Sequence, residues 1–198
     1  VTTITLCLFT FFNEPILRSA VLPGWGEFTL QKKTKAETFF LIEGSLWLLF
    51  GGYNYYSSRM TDNAHTFAVE RASANPTNKD DDYLKGMEKY MNSEAYNEEI
   101  ERDASYYYPD DLKKQQDYIQ ANGYFGEDAW SWFSTDDFIL YWEKRKAARE
   151  ALRNASFCIG LVLVNRVASI IDVAFFTPRN SKFGIKTSPA EIGLVYRF

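Results

Sequence analysis

Five polar side chains interrupt two long apolar stretches of this chain, and they sit where unusual chemistry could operate. Glu43 lies inside FFLIEGSLWLLF, within the apolar stretch 36–56, and Asn165, Arg166, Ser169 and Asp172 lie inside ASFCIGLVLVNRVASIIDVAFF, residues 155–176. Each stretch has the length of a bilayer crossing. Ionisable groups at such depth are costly and mark proton relays, ion paths or lipid-headgroup sites. They also serve as a structural clasp, in which each polar group satisfies another and fixes the pairing of two helices. On a helix Asn154, Cys158, Asn165, Ser169 and Asp172 fall on one stripe, which should face protein. If the helices are antiparallel, Glu43 comes within about one turn of Arg166 and Ser169. The spacing therefore predicts a Glu43–Arg166 ion pair, and the clasp is the reading adopted. A third reading is open: a mean hydropathy of −0.32 is ordinary for a soluble helical protein, whose core these stretches could form.

Other chemistry has little material. His65 is the single histidine and lies in a polar stretch, which leaves no residues for a triad or a histidine-ligated metal. Cys7 and Cys158 sit in apolar runs without metal or disulfide spacing. The carboxylates Asp80–Asp82, Asp110-Asp111 and Asp136-Asp137 lack the alternation and central glycine of a calcium loop. No phosphate-binding glycine motif is present, and a net charge of −4 lacks the basic footprint of nucleic-acid binding. The sequence thus names no catalytic residue, no metal site and no cofactor, and it excludes nucleotide and nucleic acid as partners.

The elements that position the five residues follow from punctuation along the chain. Residues 1–12 form a short apolar run, read as a signal or apolar leader remnant. A short helix then ends at Pro23, and Gly24 and Gly26 permit a tight turn in the Pro23-Gly24-Trp25-Gly26 motif. Lys32, Lys33 and Lys35 follow, placed to meet lipid phosphates. Residues 57–154 are a polar insertion with 13 Lys/Arg and 20 Asp/Glu, net −7. Within it Asp80–Asp82 starts one helix, Pro109-Asp110-Asp111 starts another that ends at Asn122-Gly123, and Thr135–Asp137 caps a third. No Pro or Gly occurs from there to Gly160, so that third helix is expected to run into the second apolar stretch. The aromatic group Trp130, Trp132, Phe133, Phe138, Tyr141 and Trp142 is read as packing within the insertion. Residues 177–198 suit a β-hairpin, with Ile192, Leu194, Tyr196 and Phe198 on one face.

The run Ile16–Phe28, with Leu22-Pro23-Gly24-Trp25-Gly26-Glu27 at its end, resembles the opening motif of a bacterial envelope family, domain of unknown function 5683. Asn165–Ala174, with its asparagine and its aspartate before alanine, is similar to that family's second apolar helix. Glu27 stands where the family usually has glutamine, and the insertion is long. The resemblance implies a bacterial, membrane-bound or exported protein of no established activity.

The expectation is a mainly α protein. A single helical domain over 13–176 would hold a two-helix membrane hairpin with a polar helical insertion, and a small C-terminal β-hairpin would follow. Its function would be that of a non-enzymatic structural or interaction component of the bacterial cell envelope, with membrane lipids and other envelope proteins as partners. The alternatives are a small transporter component or membrane enzyme using Glu43, Arg166 and Asp172, and a soluble interaction domain.

Overall fold

The computed structural model describes residues 15–77 and 79–176, and the backbone of 183–188 and 191–196. The leader expected over 1–12 lies outside the described residues. The chain is mainly helical: α1 (Pro15–Val21), α2 (Trp25–Thr29), α3 (Lys33–Ala72), α4 (Asp81–Lys89), α5 (Ser93–Tyr107), α6 (Leu112–Asn122) and α7 (Thr135–Phe176). β1 (Phe183–Ser188) and β2 (Glu191–Tyr196) pair antiparallel, Phe183 opposite Tyr196 and Ser188 opposite Glu191. Two strands alone do not make a stable unit. The apolar face expected there from Ile192, Leu194, Tyr196 and Phe198 lies outside the described residues.

The chain divides into two compact units, one of residues 1–53 and 153–198 and one of residues 54–152. α3 runs past its apolar stretch to Ala72, because nothing in 57–72 breaks helical hydrogen bonding, and α7 runs unbroken from Thr135 into the second stretch, as expected. And among the described helices only α7 is long and apolar enough to cross a membrane. α3 is not: Glu43, the glycines 44, 51 and 52, and the Tyr53–Tyr56 segment dilute its apolar run.

In the first unit the short helices are fixed by tight turns. Gly24 has φ 92°, and a Cβ there would lie 2.6 Å from the Ala36 carbonyl oxygen, so glycine alone fits. A Cβ on Gly26 would run into the Pro15 carbonyl, the Ser19 hydroxyl and Val173. α2 ends in a Schellman motif. Gln31 takes the left-handed conformation (φ 60°), its N–H donates to the Phe28 carbonyl (3.0 Å), and the Lys32 N–H donates to that of Glu27 (2.9 Å).

The second unit is built on aromatic packing. Asp80, Asn92 and Asp111 cap α4, α5 and α6 by accepting from the N–H of Tyr83, Ala95 and Lys114. α7 is capped by Ser134, one residue ahead of the expected Thr135–Asp137. Its hydroxyl accepts from the Asp137 N–H (3.1 Å) and donates to the Asp137 carboxylate (2.8 Å). Tyr83, Met87, Trp130, Trp132 and Tyr141 form the core with Ala64, Ala68 and Ala72 of α3. Both tryptophans lie on an extended segment that closes the end of α3: the Ser131 and Phe133 N–H groups donate to the carbonyls of Ala72 and Arg71. Their indoles donate to the Tyr90 and Met87 carbonyls. Phe138 packs against this core, whereas Phe133 and Trp142 are exposed. Arg145 is buried and bonds Glu88 and Asp81, each at 2.8 Å, while Arg149 also holds Glu88.

His65 of α3 belongs to this unit, and its Nε2 is buried without a hydrogen-bond partner. Burial, and then the nearby Arg145 charge, hold its pKa below the usual 6.5. The folded state therefore binds fewer protons than the unfolded one, and stability falls as pH drops through 6.5 toward the lower folded value. The urea midpoint followed by tryptophan fluorescence should drop from pH 7.5 to pH 5.5, and His65→Gln should shrink that difference; an equal drop in the variant would assign it to other groups.

Candidate functional site

The first unit holds a column of polar side chains along one face of α7, each layer built by a different partner element. At the α3 layer, Glu43 is buried. Its Oε1 accepts from Arg166 Nη2 at 2.9 Å and from the Trp47 indole at 3.2 Å, and its Oε2 accepts from Asn165 Nδ2 at 3.1 Å. Asn165 also donates to the Phe39 carbonyl (3.3 Å). The ion pair expected between Glu43 and Arg166 is thus present, and the contacts 35 with 172 and 43 with 166 make the helices antiparallel.

Arg166 does more than pair with Glu43. Its Nη1 donates to the carbonyls of Val21 (2.9 Å) and Ala20 (3.5 Å), the last residues of α1. Those carbonyls have no partner within the helix, so the guanidinium caps it. One arginine therefore holds α1 and α3 on α7.

The next layer is built on Glu27, which no pattern in the sequence marks. Glu27, fully buried, accepts from the Ser169 hydroxyl at 2.8 and 3.0 Å and from the Ser19 hydroxyl at 3.0 Å. Each serine in turn accepts a backbone N–H from the turn motif: Gly24 onto Ser169 (3.0 Å) and Gly26 onto Ser19 (3.1 Å). Pro23, Gly24 and Gly26 are buried, while Trp25 is exposed with the Arg18 guanidinium 5.7 Å above its ring. A lone Glu after a glycine turn carries no periodic signal.

Asp172 occupies the third layer and bonds Lys35 Nζ at 2.6 Å, with its other carboxylate oxygen buried and unpartnered. Lys35, expected from the sequence at the lipid phosphates, bonds Asp172 and remains partly exposed. The structure therefore brings Glu43, Asn165, Arg166, Ser169 and Asp172 onto one face, with Glu27, Ser19 and Lys35 added. Chemically the column is a set of carboxylates held by hydroxyl, amide and cationic donors. None of these hydroxyls is set beside a histidine base, and among the described residues no three His, Cys, Asp or Glu side chains group as a metal ion requires.

No family model, curated protein or solved structure matches this chain.

The hydroxyl ring around Glu27 fixes what can replace it. Glutamine keeps a carbonyl to accept from Ser169 and sets an amide against Ser19, which costs that hydroxyl its acceptor, whereas leucine strands both hydroxyls. Glu27→Gln should unfold within about 1 kcal/mol of the natural chain, and Glu27→Leu should lose about 3 kcal/mol, as two buried polar groups go unsatisfied. Thermal unfolding in detergent reads the difference, and equal losses would mean that the hydrogen bonds contribute nothing.

Proposed function

We propose that this chain is a membrane-embedded, non-enzymatic structural component whose first unit lies in a bilayer and whose acidic second unit is an aqueous interaction module. One observation carries the reading: the first unit is built with its polarity inverted. Glu27, Glu43, Asn165 and Ser169 are buried, while Leu41, Leu48, Phe157, Leu163, Val164 and Phe175 are each at least 60% exposed. A water-soluble domain does not leave so large an apolar surface uncovered. In the most apolar window of α7 only 28% of residues are buried, far from the largely buried core helix of a soluble protein. The polar column fits a bilayer interior, where side chains can satisfy each other and water cannot.

The non-enzymatic reading rests on how Glu43 and Glu27 are engaged. Every oxygen of these two carboxylates accepts at least one hydrogen bond from protein, as a clasp requires. On this reading α3 and α7 pair as the membrane hairpin despite the diluted apolar run of α3, with its polar groups turned inward and the two-stranded tail as an accessory. The envelope assignment is bacterial by the resemblance of Leu22–Glu27 and Asn165–Ala174 to domain of unknown function 5683, and its partners are membrane lipids and other envelope proteins.

Carbonate washing of membranes from cells expressing the chain tests the embedding: the protein should stay in the pellet until detergent is added, and release by carbonate alone would end the membrane reading. The clasp has its own test. Glu43→Leu or Arg166→Met alone should destabilise the detergent-solubilised protein by about 3 kcal/mol, and the double variant should recover part of that loss. A double variant as unstable as the sum of the two would rule the pair out as a clasp.

A further inference from the structure

We propose that α1, α2 and the turn between them form a re-entrant wedge that inserts into the acyl chains of one phospholipid leaflet; this rests on the membrane reading above. The two helices contain 7 and 5 residues. At ~1.5 Å per residue they reach about 10 and 8 Å, far short of the ~30 Å of a hydrocarbon core. Neither spans. Yet they expose Val21, Leu22, Trp25 and Phe28, the last 56% accessible, on both sides of a helix break.

The decisive feature is the backbone of that break. A turn facing water leaves its freed N–H and C=O groups to solvent, but a turn facing lipid must satisfy them within the protein. Here the Val21 and Ala20 carbonyls are taken by Arg166, and the Gly24 N–H is taken by Ser169. The Gly26 N–H is taken by Ser19, Pro23 brings no N–H, and the Leu22 and Trp25 N–H groups go to Arg18 and Leu22 carbonyls at 2.9 and 3.1 Å. The end of α2 closes on itself through the Gln31 and Lys32 N–H groups. A helix break with every one of these groups engaged and its apolar side chains left outward is built for hydrocarbon. Lys32 and Lys33 follow immediately, where phosphate headgroups of that leaflet would meet them.

The test is spin labelling of the full chain in phospholipid vesicles, with Cys7→Ser and Cys158→Ala as background. Single cysteines replace Phe28 in the wedge, Val164 on α7 and Tyr106 on α5, and power saturation compares collision with oxygen, which enters lipid, and with a water-soluble nickel chelate. The oxygen-to-nickel ratio at Phe28→Cys should be several-fold above that at Tyr106→Cys, on the side of Val164→Cys. A nickel-dominated label at position 28 with an oxygen-dominated one at 164 would overturn the wedge and leave the membrane reading standing. Nickel dominance at both positions would overturn both. A label at 28 shielded from both reagents would place protein on this face and also end the proposal. Leu22→Cys repeats the measurement should Phe28→Cys fail to fold.

Discussion

The Ser169 hydroxyl is the bond on which the first unit turns. It accepts from the N–H of Gly24 and donates to Glu27, so a single oxygen on α7 ties down both a left-handed turn and a fully buried carboxylate. Remove the acceptor and the glycine turn has no anchor; remove the donor and the carboxylate loses one of its two hydroxyl partners. Arg166, one turn earlier, repeats the logic with charge, serving Glu43 and the end of α1 together. The constraint behind both is that polar groups enclosed by apolar side chains have only one another to satisfy them.

The second unit answers to a different constraint. Its core is largely aromatic, with Tyr83, Trp130 and Tyr124 meeting edge-on or tilted and the indole N–H groups spent on backbone carbonyls. Asn97 completes it by bonding both the N–H and the carbonyl of Tyr124, standing in for a neighbouring strand. Its one buried cation, Arg145, shares Glu88 with the exposed Arg149, and a desolvated charge is thereby compensated near solvent.

What the sequence disclosed follows from periodicity. Glu43 and Arg166 could be matched because both sit in long apolar helices, where position along the axis follows from residue count. The caps at Asp80 and Asp111 were legible because acidic residues before a helical pattern have a local cause. Glu27 and Ser19 were not, since their partnership depends on a turn whose path no periodicity encodes. α5 is not legible because Asn92-Ser93-Glu94, its start signal, follows Met91 with no break in composition. The bond of Lys35 to Asp172 was not legible for a related reason: it depends on which residue the partner helix brings to it. The charge of residues 57–154 marks the second unit, 54–152, to within a few residues, although the helices continue through the change in composition.

The bond between Gly24 and Ser169 joins residues 145 positions apart. A ribosome adding ~5–20 residues per second needs on the order of 7–30 s to make that interval. Throughout it, the Pro-Gly-Trp-Gly turn exists without the serine and arginine that satisfy it. The N-terminal turn must therefore wait in water, at an interface or on a chaperone, and the first unit closes only after the whole intervening insertion has been synthesised.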